Sequence, residues 1–483
     1  MKGNNKDKDE EKKITSRKKD YSQWYLDIIA AADLAENGPV RGTMIIKPYG
    51  YAIWERIQNI LDSRFKELGI KNVYFPLFIP EKFLKKEKEH VKGFSPEVAV
   101  VTHAGGKKLE EPLVVRPTSE TVMYDAFSNW IQSYRDLPLL INQWVNVVRW
   151  EMRPRLFLRT TEFLWQEGHT AHETLEEADL FARQMLGIYQ DFSENIMAIP
   201  VIAGLKSETE KFAGAFKTYT IEAMMQDGKA LQFATSHNLG TNFAKVFNVS
   251  FLDRNENHQH ASQTSWGLST RTIGGLIMAH SDDKGLVLPP RLAPIQVVII
   301  TIGHGDEGAL VIQKAREIFD SLKQNNIRVE IDIRESRPGK KFYEWEKRGV
   351  PIRIELGPKD VVNNQAILVR RDSGEKKEVG LDILPKEIAL LLEDIQLGLY
   401  HRALENQVSH TKKADNWDEF VQAIEQGNFV FAHWSGEAEI EKQIKDETGA
   451  TIRCLLLEQE KESGKCIKSG KPSTGRVLFA KAY

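Results

Sequence analysis

The chain has 483 residues, 41% of them hydrophobic and 28% charged, with a formal charge of -2. That make-up excludes a disordered or generally basic protein and allows about three or four folded units, so any nucleic-acid contact must come from local patches. Two cysteines, Cys454 and Cys466, exclude a disulfide framework and fit a reducing compartment such as the cytoplasm, and neither a membrane span nor a signal peptide is legible.

Residues 1–20 mix both signs of charge with a single isoleucine and are expected to form a mobile tail, because they cannot bury enough apolar surface to offset ordering. From Tyr21 to Leu288, an amphipathic helix over 50–69 and strand-like runs at 73–79, 113–116, 145–150 and 163–169 predict a large α+β domain on a mainly antiparallel sheet. The proline-rich stretch LPPRLAP at 288–294 marks a domain boundary. Beyond it, strands at 295–301, 327–333, 350–356 and 365–371 with a helix over 307–323 indicate a compact α/β domain over 291–405. Residues 406–483 carry apolar runs at 428–434 and 450–457 and read as a small α+β module.

Common marks of phosphate binding are missing. GKCIKSGKP at 464–472 has five residues between glycines where a P-loop needs four, and Pro472 stands where Ser or Thr should be. No G-x-G-x-x-G follows a strand. The sequence points instead to arginines on an antiparallel sheet. In VVRWEMRPRLFLRTTEFLWQEGHTAH at 147–172, Arg149 and Glu151 lie two apart and share a strand face, and Arg153 and Arg155 lie in the loop that follows. On the returning strand Trp165, Glu167 and His169 recur at period two, placing an aromatic wall, an acid and an imidazole on one side. His169, His172 and Glu173 do not form a zincin signature. In SWGLSTRTIGGLIMAHSDDKGLVLPP at 265–290, glycines flank Arg271, which suits close approach of a phosphate to a charge that is never lost.

These stretches resemble motifs 2 and 3 of class II aminoacyl-tRNA synthetases. RPTSE at 116–120, WQEGHTAHET at 165–174, LQFATSHNLG at 231–240 and TSWGLSTRTIG at 264–274 together resemble the prolyl-tRNA synthetase family, from about residue 21 to the final KAY. The resemblance implies a ligase that uses ATP and Mg2+ to join proline to tRNA(Pro). It implies Arg149 and Arg271 as the catalytic arginines. Arg149 would hold the α-phosphate and the proline carboxylate, Arg159 and Arg271 the outer phosphates, and Glu151 the adenine amino group. Phe157 would stack on adenine, and Thr160, Gln232 and Thr235 would complete the ATP site. Thr118 and Glu120 would receive the secondary ammonium of proline, while Trp165, Glu167, His169, His237, Trp266 and Gly267 would shape its ring pocket. Chemically this is apt: attack of a carboxylate on phosphorus builds negative charge for arginines to stabilise, and a pyrrolidinium needs an aromatic wall beside carboxylates.

The resemblance implies further features. The 50–80 segment with Pro76 is similar to motif 1, which forms a homodimer interface in the family. The 291–405 domain would bind the anticodon, with Glu346, Arg353, Lys359, Asp360 and Arg371 as candidates for reading guanines, since cationic side chains suit guanine acceptors and carboxylates its amino donors. Glu222 is a candidate Mg2+ ligand. Tyr483 would reach back towards the catalytic domain. Two departures stand out. Arg149 and Arg271 are 122 positions apart (271 minus 149), too close for the long editing insertion of some members, so misactivated alanine or cysteine is not expected to be cleared in cis. Cys454 and Cys466 cannot complete the four-cysteine site of related C-terminal modules, so no structural zinc is expected. An alternative is a catalytically inactive synthetase-like RNA-binding or regulatory protein, whose mark would be a lost motif arginine. A class II relative for threonine, histidine or glycine would lack the Trp165, Glu167 and His169 set.

Overall fold

A computed structural model describes residues 13–84, 97–458 and 461–483, which separate into two compact units. The larger, made of 37–45, 54–279 and 398–483, is built on one sheet. Its eleven described strands, in chain order, are β1 Lys71–Asn72, β2 Leu139–Val148, β3 Glu162–His172, β4 Val201–Leu205, β5 Lys217–Met224, β6 Ala230–Gly240, β7 Ser262–Ser269, β8 Thr411–Ala414, β9 Phe429–His433, β10 Thr451–Leu456 and β11 Arg476–Ala480. Across the sheet they run β8-β9-β11-β10-β4-β5-β6-β7-β3-β2-β1. Only the outermost pairs, β8 with β9 and β1 with β2, are parallel.

One face of this sheet is covered by helices. Thr174 caps the helix Leu175–Asp191 by accepting from Glu177 N, and two glutamates in its first turn suit the helix dipole. Its buried residues Ala178, Ala182, Met185 and Tyr189 recur at three- and four-residue spacing, the stripe that seats a helix on a sheet. The helix Pro48–Glu67 brings Phe65 against Trp266, with ring centroids 6.1 Å apart. The opposite face is covered in part by the helices Glu120–Trp130 and Asn242–Phe247, whose Tyr124, Phe243 and Phe247 pack with Ile141, Ala171 and Leu239, and carries polar groups beside them.

The single strand expected at 73–79 is instead interrupted: β1 ends at Asn72, and a separate short strand, Phe78–Pro80, pairs with Lys107–Val115. Pro76 lies between them, where it need not donate to a ladder. A second difference concerns the C-terminal residues. The boundary expected at 405/406 falls inside a continuous helix, Leu384–Ser409, and β10 pairs with β4, with Leu455 opposite Leu205. The apolar runs at 428–434 and 450–457 thus extend the main sheet. Pairing removes the exposed edge that β4 would otherwise present. Gly204 permits it, since a Cβ there would stand 2.5 Å from the Cβ of Cys454.

The smaller unit, made of residues up to Glu36 with 46–53 and 280–397, contains a five-stranded sheet. Val329–Asp332, Val297–Thr301 and Ile352–Leu356 are parallel, and Gln365–Arg370 and Lys376–Gly380 continue antiparallel. The all-buried run Val297–Thr301 forms its centre, as a continuous apolar strand should. Residues 1–12 of the expected tail lie outside the described residues. The rest of that tail is held, contrary to expectation: Thr15 N donates to Asp27, and Arg17 donates to Asp283 from its backbone N (2.9 Å) and its Nε (3.1 Å). The Arg17 charge is met by a specific partner rather than by water alone.

Candidate active site

On this second face of the main sheet, beside the helices Glu120–Trp130 and Asn242–Phe247, lies a cavity of about 300 Å3. β3 contributes Trp165, Glu167 and His169 to it, in the period-two register expected of one strand face. Arg149 borders it just beyond the end of β2, Thr118 and Glu120 at the start of the helix Glu120–Trp130, and Arg271 at the start of the helix Arg271–His280. From β6 come Gln232, Thr235 and His237. Gln232 and Thr235 are three apart, which in a regular strand would put them on opposite faces. A β-bulge restores the phase: Thr235 pairs with Thr220 and Gln232 with Glu222, leaving one extra residue between. Gly267 lies opposite both Glu167 and Thr235 and keeps the floor open.

The electrostatics divide the cavity in two. At one end are guanidiniums. Burial pulls Arg271 down to about 10, and repulsion from Arg159 and Arg149 adds to the effect, so it remains charged at neutral pH but is short of negative partners. Arg149, also lowered by burial, donates from Nε to Pro117 O at 3.0 Å, and its Cζ lies 5.2 Å from the Trp165 ring and 5.6 Å from the Phe163 ring. At the other end are buried carboxylates. Burial raises Glu167, but bonds from His169 (3.2 Å), Ser119 and Gln143 (2.6 Å) outweigh it and hold the carboxyl below its ordinary value. Thr118 donates to Glu120, and Tyr124 OH lies 3.0 Å from His169 Nδ1. His237 is pushed down to about 3 by burial, with His169 adding to it, and is neutral, with Thr218 and Thr235 hydroxyls 3.0 and 3.1 Å from its ring nitrogens. The result is an anion-seeking end beside an aromatic wall and a cation-seeking end.

Residues 102–280 match the family model described as tRNA synthetase class II core domain (G, H, P, S and T). Residues 296–390 match the anticodon binding domain, and 417–483 match prolyl-tRNA synthetase, C-terminal. The chain is 55% identical to the proline–tRNA ligase of Porphyromonas gingivalis over 488 aligned positions, spanning 98% of this chain and 99% of that one. It is 56% identical to the proline–tRNA ligase of Chlorobaculum tepidum over 480 positions, with the same coverage. The chain belongs to the prolyl-tRNA synthetase family.

Several residues expected in a prolyl-tRNA synthetase site do not present their side chains to this cavity. Trp266 borders the cavity, but its indole is 1% exposed and packs against Gly168, Phe65 and Phe181 on the face covered by the helix Leu175–Asp191. Its neighbour Gly267 faces the cavity, and consecutive strand residues cannot share a face. Phe157 is 2% exposed, has φ 62° and does not border the cavity, so it has no ring face to offer a base. Thr160 is buried and its hydroxyl donates to Glu162 O at 2.7 Å. Glu151 and Arg159 lie beside one another outside the cavity lining, 3.8 Å apart, with Glu151 accepting from Arg153 N. Glu222 is not free for Mg2+: Oε1 accepts from Lys206 Nζ at 2.7 Å and Oε2 from Arg453 Nη2 at 2.9 Å, in a fully buried cluster. A cation there would have to displace two that are already in place.

The cavity also contains residues that no motif singled out. Phe163 borders it and lies two positions before Trp165, so the alternation used for Trp165, Glu167 and His169 extends to it directly. Phe163, rather than Phe157, borders the cavity and is the ring expected to stack on a base. Phe163→Ala is expected to raise the KM for ATP about ten-fold with little change in the KM for proline, on the scale of about 1–3 kcal/mol per stacked base, as read by pyrophosphate exchange. An unchanged ATP KM would remove Phe163 from the nucleotide site. Ser119, Gln143 and Tyr124 are also unannounced by spacing, because they orient Glu167 and His169 from other elements.

In the smaller unit, Glu346, Arg353 and Arg371 border a cavity of about 140 Å3 together with Lys284, Arg370 and Lys376. Arg371 is not available to a base there: it is buried and donates to both oxygens of Asp282, at 2.9 and 2.7 Å. Arg353 donates to Glu355 and lies 4.5 Å over the Phe342 ring. Lys359 and Asp360 lie apart on the short helix Pro358–Val362, where Asp360 accepts from Gly357 N at 2.8 Å as a cap. Cys454 is buried in β10 with its thiol pushed up to about 12 by burial, and among the described residues no three His, Cys, Asp or Glu side chains gather as metal ligands.

Proposed function

We infer that the chain is a proline–tRNA ligase, which activates proline with ATP to prolyl-adenylate and transfers it to the 3′ end of tRNA(Pro). The observation that carries this is the pairing, around one cavity, of mutually repelling arginines with a carboxylate-lined aromatic pocket. Proline's carboxylate oxygen attacks the α-phosphorus, its bond to the β-bridging oxygen breaks, and pyrophosphate leaves. The terminal tRNA hydroxyl then attacks the carbonyl and AMP departs. No protein nucleophile is needed, so the residues bind, orient and neutralise charge. In this reading Arg149 holds the α-phosphate and the carboxylate, and Arg159 and Arg271 the outer phosphates. Glu151 takes the adenine amino group, Phe163 the ring, and Gln232 and Thr235 the ribose. Thr118, Glu120 and Glu167 receive the ammonium, with Trp165, His169 and His237 around the ring and Gly267 beneath it.

Glu222, the one carboxylate proposed for Mg2+, does not fit that ion, because Lys206 and Arg453 already occupy its oxygens; Mg2+ would arrive on the phosphates of ATP. The family's homodimer is supported by exposed Tyr74, Phe78 and Trp130 near the β1 edge, apolar surface that a second copy would cover. The cytoplasm, where tRNA is charged, is the matching compartment, and no helix among the described residues is long and apolar enough to cross a membrane. Glu346, Arg353 and Lys359 remain the candidates for reading the anticodon. An inactive, regulatory role would leave the arginines without purpose.

The test is pyrophosphate exchange with each amino acid in turn, followed by a mischarging assay. Proline should give the fastest exchange. Alanine should be activated weakly, because rejecting a smaller apolar side chain by binding alone yields only about 10–200-fold discrimination. Residues 150–270 are all described and belong to the same unit as the cavity, leaving no separate hydrolytic domain there, so alanyl-tRNA should persist. Fast exchange with another amino acid would overturn the specificity, and rapid loss of alanyl-tRNA would overturn the lack of editing.

A further inference from the structure

One wall of the cavity is the segment 206–212 between β4 and β5, from which Lys206, Glu210 and Phe212 border the space. Such a connection is ordinarily a mobile surface loop. Here the C-terminal part of the chain grips it. In the helix Ala438–Thr448, Glu441 accepts from Ser207 Oγ at 2.7 Å through Oε1 and from Thr209 Oγ1 at 2.6 Å through Oε2. Lys206 Nζ donates to the carbonyl of Arg453 at 2.9 Å.

Glu441 is 6% exposed, and no lysine or arginine among the described residues lies within 4 Å of its carboxylate. A buried carboxylate is costly without donors, and the two hydroxyls from the loop are what satisfies it, so the helix and the loop stabilise one another's position. The loop's far end leads to the amino-acid pocket. Phe212 N donates to Thr218 Oγ1 at 3.0 Å, that hydroxyl lies 3.0 Å from His237 Nδ1, and the Phe212 and His237 rings are 4.8 Å apart.

We propose that Glu441 is a positioning residue for amino-acid selection: it latches the 206–212 loop to the C-terminal helix and so sets Phe212 and His237 at the proline pocket. This rests on the reading of that pocket as the proline site. The C-terminal part then acts in substrate choice without touching substrate.

The test uses the full-length protein in pyrophosphate exchange. Glu441→Ala should raise the KM for proline about ten-fold, less than the loss of even one hydrogen bond to a charged group would give directly, because the latch reaches the pocket only through the loop. The KM for ATP and kcat should stay within about two-fold, a split that general loosening of the fold would not give. Glu441→Gln, which keeps an acceptor, should recover most of the loss. Ser207→Ala with Thr209→Val should reproduce the Glu441→Ala effect from the loop side, and combining all three should add nothing further, because one contact is being removed twice. If Glu441→Ala fails to fold, the Ser207/Thr209 variant decides alone. A proline KM unchanged in a folded variant, or effects that multiply on combination, would overturn the latch. Should the wild-type protein prefer a different amino acid, the proline reading falls and the latch is judged on that amino acid's KM.

Discussion

Arg271→Ala should lower proline-dependent pyrophosphate exchange by about 10^3 while leaving the thermal midpoint unchanged or slightly raised, the upper range for removing one preorganised charge-stabilising donor. The two outcomes come from the same electrostatics. Arg271 is half-buried, its Nε donates only to the carbonyl of Leu158 at 3.2 Å, and no carboxylate pairs with it among the described residues. Arg159 and Arg149 both disfavour its charge. A fold gains nothing from that repulsion, whereas a triphosphate gains from it directly, since the cations are already desolvated and aimed. Stability would fall if Arg271 were structural. Exchange within ten-fold of wild type, or a collapse of the thermal midpoint, would therefore refute its assignment as a phosphate ligand.

What the sequence revealed follows from how far each argument had to reach. Trp165, Glu167 and His169 belong to one strand, and alternation within a strand is a local rule, so their common side was legible. The same rule, carried one step back, leads to Phe163. Trp266 and Gly267 are adjacent, and treating both as pocket residues ignored the parity that sends the indole behind the sheet. Gln232 and Thr235 reach the same side only through a bulge, which no residue pattern announces. Arg371 and Glu222 looked like ligand groups because charge is visible in a sequence and its partner is not. Asp282 is 89 positions from Arg371 and Arg453 is 231 from Glu222, so each pairing depends on tertiary structure. The C-terminal strands were recognisable as strands, but whether they close their own sheet or join another is decided by an edge at β4 that lies some 250 positions away, at Leu205 opposite Leu455.

Glu222→Ala should destabilise the larger unit by about 3–5 kcal/mol, the cost of leaving buried charge uncompensated. Lys206 and Arg453 are nearly as buried as Glu222, and both would lose their counter-charge at once. Burial alone would raise the Glu222 carboxyl, but Lys206 and Arg453 outweigh it and hold it below its ordinary value. A carboxyl lowered in the folded state contributes stability that is complete above its unfolded value, about 4.3, and disappears as pH falls through the lower folded value. Urea unfolding from pH 3 to pH 8 should therefore show the variant and the wild type far apart at neutral pH and converging in acid. A constant gap would mean that lost packing, not lost charge, is responsible. Replacing all three groups by apolar residues of similar volume should recover much of the stability, because a well-packed apolar cluster avoids the desolvation that a buried ion triad must overcome. That outcome would separate two roles the cluster combines: a neutral core could still join β10 to β4, but only the charged one contributes a field at Arg271, to which both Glu222 and Arg453 couple.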